Sequence, residues 1–297
     1  MRLVSYRSDS GNSVGLLKDD YIIDLAKADA NLPGSLLAII SQGAEAIEAL
    51  RKVEDTHAQG AHVSLDDVEF LPPVPKPPKI LCMGLNFTDH AKEGGNPIPD
   101  YPALFMRTAS SLIGHTQPLI RPKCSHYFDY EAELMVIIGK KCKHVSEKDA
   151  LDCVFGYSVF NDGSVRDYQR KSNQWTAGKN FDGTGPVGPA IVTADEVPAG
   201  AHGLRMISRL NGTVLQDGNT ANMIFPVAKT IEILSEIMTL EPGDHIAMGT
   251  PAGVGYPRNP PVFMKPGDIM EIEIEGLGTL RNPVIDEEPE QQTEAAE

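Results

Sequence analysis

The chain of 297 residues has little cysteine: Cys82, Cys124, Cys142 and Cys153 lie far apart, with no C-x-x-C pair. That spacing excludes an ordinary zinc cage. With no sign of secretion it also argues against a disulfide framework, so mostly buried thiols are expected. No apolar run approaches the roughly 18 residues of a membrane span. The start Met1-Arg2-Leu3-Val4-Ser5-Tyr6 has no apolar signal-peptide stretch, which makes the cytoplasm the expected address. Positive charge is scarce as well, with 26 Lys and Arg against 41 Asp and Glu, a net charge of −15. Such a balance disfavours electrostatic capture of nucleic acid or anionic membrane, and neither is expected as a partner. A G-x-x-x-x-G-K-[ST] loop is missing too, which argues against phosphotransfer.

What is present is an ordinary globular composition, 41% hydrophobic and 23% charged. Residues 1–71 read as a small N-terminal α/β module. Its strands are Leu3 to Tyr6, Val14 to Leu17 and Tyr21 to Leu25, with turns at Gly11-Asn12 and Asp19-Asp20. Its helices are Leu36 to Ile40 and Ala44 to Val53, broken at Gly43. The proline-rich stretch 72–78 can be neither helix nor central strand and reads as a stiff linker. Residues 79–285 form the larger domain. Residues 286–297 hold six acidic side chains and no Lys or Arg, the composition of a solvated, disordered tail.

In 79–285 strand signals dominate: Lys79 to Met83, Ala103 to Met106, Tyr130 to Ile138, Gly156 to Phe160 and His245 to Met248. Asn211-Gly212 suits a type I′ hairpin turn, and Pro-Gly-Asp at 242–244 and 266–268 precedes strand-like runs. Val227 to Met238 is the clearest helix. The fold class is therefore α+β and β-rich, without parallel βαβ alternation.

Chemistry concentrates around Tyr130-Glu131-Ala132-Glu133-Leu134-Met135-Val136-Ile137-Ile138. Alternation puts Ala132, Leu134, Val136 and Ile138 on one strand face. Glu131 and Glu133 then share the other face, about 7 Å apart. They are either two exposed glutamates on a solvated edge strand or part of a charged site. A second apolar strand ends at Asn161-Asp162, where the acid is either a helix cap or a third ligand. Three carboxylates without His or thiolate favour Mg²⁺ or Mn²⁺, with Ca²⁺ possible, over zinc.

These residues sit in a longer ordered set. Tyr130-Glu131-Ala132-Glu133-Leu134 is followed by Asn161-Asp162-x-Ser164-x-Arg166-Asp167-x-Gln169. Gly84-Leu85-Asn86-Phe87-x-x-His90-Ala91-x-Glu93 precedes them. After them come Gly178-Lys179-Asn180-Phe181-Asp182, Gly185-Pro186-x-Gly188-Pro189 and Gly249-Thr250-Pro251-Ala252-Gly253-Val254-Gly255. The set, from about Lys79 to Pro283, resembles the fumarylacetoacetate hydrolase family. The resemblance implies a catalytic domain built on a rolled mixed β-sheet and a small keto-acid substrate. It implies a metal held by Glu131, Glu133 and Asp162, with Lys179 beside it. It further implies His90 as a base oriented by Glu93, from a short helix over the substrate. Arg166, Gln169 and Thr250 are implied as substrate contacts, and a homodimer as the assembly. For Arg166 a structural ion pair with Asp162 or Asp167 is the alternative. Where many relatives carry lysine, this chain has Arg107, expected to read the acid tail as a bidentate fork. Within the family, the expected reaction is hydrolysis of a C–C bond in a β-diketo acid or acylpyruvate. The alternatives are oxaloacetate decarboxylation, keto-acid isomerisation or hydration, and a non-catalytic binding protein.

Overall fold

The computed structural model describes residues 1–56, 59–95 and 97–288. Its spine is a mixed sheet whose path runs His62–Ser64, Tyr21–Asp24, Gly11–Leu17, Arg2–Ser8, Gly185–Thr193, Val154–Asn161, Ala132–Ile138, His245–Ala247, Ile80–Gly84 and Ala103–Met106. Neighbours on this path are antiparallel except His245–Ala247 against Ile80–Gly84. A second sheet runs Thr213–Asn219, Arg205–Leu210, Ile269–Ile274, Gly278–Asp286 and Leu119–Arg121. The strand-rich α+β class is thus what the chain adopts.

The strand Ala132–Ile138 lies between two partners and is buried along its length. Its Ala132, Leu134, Val136 and Ile138 join one core, against Val227, Ile231 and Leu234 of the helix Val227–Ile237. Met135 and Ile137 join a second core, against Leu36, Ile39 and Ile40 of the helix Leu36–Gln42 and Leu50 of the helix Ala44–Thr56. Each fully buried Leu, Ile or Met contributes about 1.5–3 kcal/mol, so both faces anchor the strand. The edge-strand reading of Glu131 and Glu133 is therefore wrong. A run that is apolar on both faces belongs in the middle of a sheet.

Local signals explain the flanking elements. Ser35 Oγ accepts from the Ala38 amide, and Gly43 ends that helix at φ 65°. Asn211 and Gly212 take φ 52° and 79°, the two left-handed residues of a type I′ turn. The turn placed at Gly11-Asn12 is instead Asp9-Ser10, because Ser8 pairs with Gly11 and Arg7 with Asn12. The first module does not stand apart as a sheet, since Arg2–Ser8 pairs with Gly185–Thr193. The proline stretch forms neither helix nor strand, and Val74 within it is buried. Asp286 ends a strand and pairs with Arg121, and the Glu287 amide bonds to Arg121 O at 3.0 Å. Asp286 and Glu287, assigned to the acidic tail, are thus held against the body, and 289–297 lie outside the described residues. Cys82, Cys142 and Cys153 are buried free thiols, while Cys124 is exposed.

Candidate active site

The carboxylates are assembled by pairing two strand ends. Ala132 sits opposite Asn161, the Asn161 side chain accepts from the Glu131 amide at 3.0 Å, and the Asp162 amide donates to Glu131 O at 3.0 Å. This brings Glu131, Glu133 and Asp162 together, buried, with one oxygen of each within 4.8 Å of the others. Lys179 Nζ lies between two of them, 2.7 Å from Glu131 Oε2 and 2.6 Å from Asp162 Oδ2. Burial opposes its charge, but those two carboxylates outweigh it and raise the ammonium's pKa.

Glu131 and Glu133 behave differently. Burial disfavours the charged form of Glu131, yet Lys179 and Arg166 overcome it and hold the carboxyl down at about 2. Glu133 has no ion pair among the described residues; burial first, then the Asp162 and Glu131 carboxylates, push its pKa well up. Among the described residues it accepts only the Gly249 amide, at 2.9 Å. Gly249 stands at φ 83°, where an added Cβ would lie 2.8 Å from the Asn86 Cβ. Three converging hard oxygens, one lacking a cation, suit a Mg²⁺-like ion.

Arg166 is 7% exposed and gives Nε to Asp129 Oδ2 at 2.8 Å and Nη1 to Glu131 Oε1 at 2.7 Å. Its ion pairs are thus with neither Asp162 nor Asp167. Nη1 also reaches Gln169 Oε1 at 2.9 Å, so the two residues meet as their i, i+3 spacing predicts. Arg107 departs from expectation. It is buried behind Asp162, which it bonds together with Ser111 Oγ, Gly163 O and Thr184 Oγ1. It is not among the residues lining the cavity. A guanidinium with all these fixed acceptors orients Asp162 instead of reading a substrate.

The cluster opens into a cavity of about 460 Å³, lined by Glu131, Glu133, Lys179, Arg166, Gln169 and Thr250 on its inner walls. His90 and Glu93 close one side from the short helix Thr88–Glu93. His90 Nδ1 is 3.4 Å from Glu93 Oε2, while Glu93 Oε1 accepts the Gly253 amide at 2.9 Å. The helix is rooted by Asn86, whose side chain bonds Phe225 on both its N–H and C=O, and also Met248 O. Gly84 must lack a side chain here, because a Cβ would lie 2.1 Å from the Trp175 ring.

Four contributors escaped the sequence reading. Asp129 accepts from Arg166 Nε and from the Tyr130, Gly255 and Tyr256 amides, tying Arg166 to the loop after His245–Ala247. Gln216 donates to Thr250 Oγ1 at 2.8 Å and accepts the Ala132 amide at 3.0 Å. The Thr250 hydroxyl proton is then free for a ligand. Trp175 and Arg170 line the cavity. Only Asp129, next to the Glu131 motif, carried any signal; Gln216 sits in a hairpin with none.

A sequence profile of the fumarylacetoacetate hydrolase C-terminal domain matches residues 79–285. The oxaloacetate tautomerase of Xenopus laevis, named as mitochondrial, is 41% identical over 96% of this chain and 90% of its own. The fumarylacetoacetate hydrolase structure from Exiguobacterium antarcticum has a TM-score of 0.82 at 33% identity, covering 97% of this chain and all of that one. Maleylpyruvate hydrolase from Sphingobium sp. SYK-6, solved with manganese(II) and pyruvate, has a TM-score of 0.79 at 32% identity, with the same coverage. Among the described residues no helix is long and apolar enough to cross a membrane. The profile match and these likenesses make the chain a member of the fumarylacetoacetate hydrolase family, a family of enzymes.

Proposed function

We propose that the protein is a divalent-metal-dependent enzyme that interconverts the keto and enol forms of an oxaloacetate-like 2-keto acid. The carrying observation is Arg166. Its Nε and Nη1 are engaged, while Nη2 is buried with no hydrogen-bond partner among the described residues. Leaving such a donor unsatisfied costs about 1–3 kcal/mol, and a small shift of the guanidinium toward the adjoining cavity would let a substrate carboxylate relieve it. The Xenopus relative's name supports oxaloacetate as the acid.

Glu131, Glu133 and Asp162 would hold Mg²⁺ or Mn²⁺. The bound cation supplies Lewis acidity toward the substrate's keto oxygen. Tautomerisation moves one proton off the carbon beside the ketone and one onto oxygen. With Nδ1 turned to Glu93, His90 has Nε2 left to take the carbon-bound proton and pass it to the enolate oxygen, and to carry it back in the reverse direction. Lys179 keeps its own proton and holds Glu131 and Asp162 in place. Thr250 donates its hydroxyl to the substrate, and Phe105 and Trp175, edge to face at 5.6 Å, exclude water from that wall.

A second reading, C–C hydrolysis of an acylpyruvate, is favoured by the likeness to maleylpyruvate hydrolase and by the His90–Glu93 pair, which would equally suit water activation. Both readings share removal of charge onto the ketone oxygen. The test mixes the enol form of oxaloacetate with enzyme and Mg²⁺ and follows enol absorbance and pyruvate together. Fast loss of enol without matching pyruvate is expected. Pyruvate from acylpyruvates with no effect on the enol would transfer the assignment to hydrolysis, and pyruvate matching oxaloacetate loss would make it a decarboxylase.

A further inference from the structure

The cavity's cations are unequal. Lys179 is held between two fixed carboxylates, and Arg166 is paired with Asp129 and Glu131. Arg170 also lines the cavity, one turn after Arg166, and has no carboxylate partner among the described residues. Its guanidinium lies 3.7 Å from the centroid of the Tyr256 ring, on the opposing loop, and donates to the Tyr256 hydroxyl. The Tyr256 amide is in turn fixed to Asp129 Oδ2 at 2.9 Å. Stacking on an aromatic ring orients a guanidinium without neutralising it.

Counting charge shows what this arrangement awaits. With Glu133 ionised, as metal binding requires, the buried acids Asp129, Glu131, Glu133 and Asp162 face the buried cations Arg107, Arg166 and Lys179 and leave one negative charge over. A divalent ion on the carboxylates turns that into one positive charge, which a single substrate carboxylate cancels. A second carboxylate needs a further cation, and the chain's net charge of −15 supplies few. Arg166 cannot serve twice, because Nε and Nη1 are engaged and the unpartnered Nη2 is buried.

We propose that Arg170, oriented by Tyr256, is the subsite for the second carboxylate of a dicarboxylic 2-keto acid, selecting dioic over monocarboxylic substrates. This rests on the keto-acid reading above and names its substrate class. Arg170 is exposed on its outer side, so it can turn from the Tyr256 hydroxyl to an incoming carboxylate while keeping its stack on the ring.

Trp175 is the only tryptophan of the chain and lines the cavity, so its fluorescence reports occupancy without turnover. With Mg²⁺ present, the protein is titrated with 2-oxoglutarate and with 2-oxopentanoate, which has the same chain length but one carboxylate. The unmodified protein should bind 2-oxoglutarate at least tenfold more tightly. Arg170→Gln should erase that preference while leaving 2-oxopentanoate within about twofold, and Arg170→Lys should restore part of it, since a charge-assisted contact is worth roughly tenfold. Equal binding of both acids by the unmodified protein, or a preference surviving in Arg170→Gln, overturns the Arg170 assignment alone. Loss of both acids in Arg170→Gln makes the residue structural and also overturns it. Failure of the unmodified protein to bind either acid removes the keto-acid reading itself, and the subsite with it.

Discussion

At one end of the strand Ala132–Ile138, three buried carboxylates meet Lys179, Arg166 and Arg107 beside a cavity. At the other end, where Ile137 pairs with His245, Asp244 and His245 are buried too, and neither lines that cavity. Both ends carry desolvated ionisable groups, and the outcomes for Glu131 and Asp244 are opposite. Beside the cavity, neighbouring cations win at Glu131, which stays charged with its carboxyl at about 2, while Glu133, without a cation, is pushed well up by burial. At the far end burial wins. It raises Asp244 in spite of Lys79 at 2.6 Å, and lowers His245 to about 4. Asp244 Oδ1 and His245 Nε2 have no partners among the described residues. What sets the cavity end apart is the set of countercharges brought in around Glu131 and Asp162, which the far end lacks apart from Lys79.

The largest effects should come from breaking that compensation. Asp162→Ala leaves Arg107 and Lys179 short of a carboxylate in the interior, and removing one partner of a buried pair costs about 3–5 kcal/mol. Thermal unfolding should show a lower Tm, and calorimetric titration should show no Mg²⁺ binding. Glu133→Gln sharpens the contrast. Glu133 has no cation to strand, so this variant should lose metal binding and activity with Tm unchanged or raised. A Tm that falls as far as in Asp162→Ala would mean that Glu133 is held by contacts of the Asp162 kind.

Next in size is His90→Ala. His90 belongs to the cavity yet has no share in the buried ion pairs, so chemistry and stability should separate. A fall in kcat of roughly 10²–10⁴-fold with little change in KM and an unaltered Tm is expected. Glu93→Ala should cost less, as Glu93 orients the base. Near-full turnover by His90→Ala would remove it as the base.

The far end makes a pH prediction of its own. His245 titrates near 6.5 when unfolded and near 4 when folded. Between those values the unfolded chain binds more protons at this site, so the His245 contribution to stability falls as pH drops from about 6.5 to 4, while Asp244, raised by burial, acts in the opposite direction. The loss amounts to about 2–4 kcal/mol. His115, lowered to about 4 by burial and then by Arg281, adds to it in the same direction. Urea midpoints measured across this range should flatten in His245→Gln. An unchanged slope would assign the acid sensitivity elsewhere.

How much of this was legible depended on whether the cause was local. The carboxylate triad was, because alternation in Glu131-Ala132-Glu133 and a strand ending at Asp162 are short-range patterns. The two-faced burial of the strand Ala132–Ile138 could be read from the unbroken apolar run Leu134 to Ile138. The role of Arg107 could not. What it touches is decided by Asp162, Gly163 and Thr184, at least 55 residues away in sequence, and an arginine looks the same whether its acceptor is protein or ligand. Gln216 and Asp129 were missed for the same reason, since their work is to receive backbone amides brought in by tertiary packing. The strand Gly185–Thr193 was hidden by Pro186 and Pro189, residues that argue against a central strand.

The smallest expected effect lies at the acidic end of the chain, where charge is exposed and compensation matters least. Truncation after Glu288 removes only residues 289–297, rich in acid and poor in apolar side chains, and should leave Tm and turnover unchanged. Truncation after Ile285 goes further and removes Asp286, whose carboxylate Arg121 holds at 2.7 Å, and Glu287, which accepts the Lys123 amide at 2.9 Å. Asp286 is 55% exposed, so water screens that pair and its loss should cost no more than about 1 kcal/mol. The pairing of Gly278–Asp286 with Leu119–Arg121 survives through Val284 and Ile285, which limits the damage. Comparing the two truncations by thermal unfolding, with added salt as a second axis, separates the contributions. A salt-sensitive difference of a few degrees between them is expected. A large drop on removing 289–297 alone would mean that this acidic segment docks on the body.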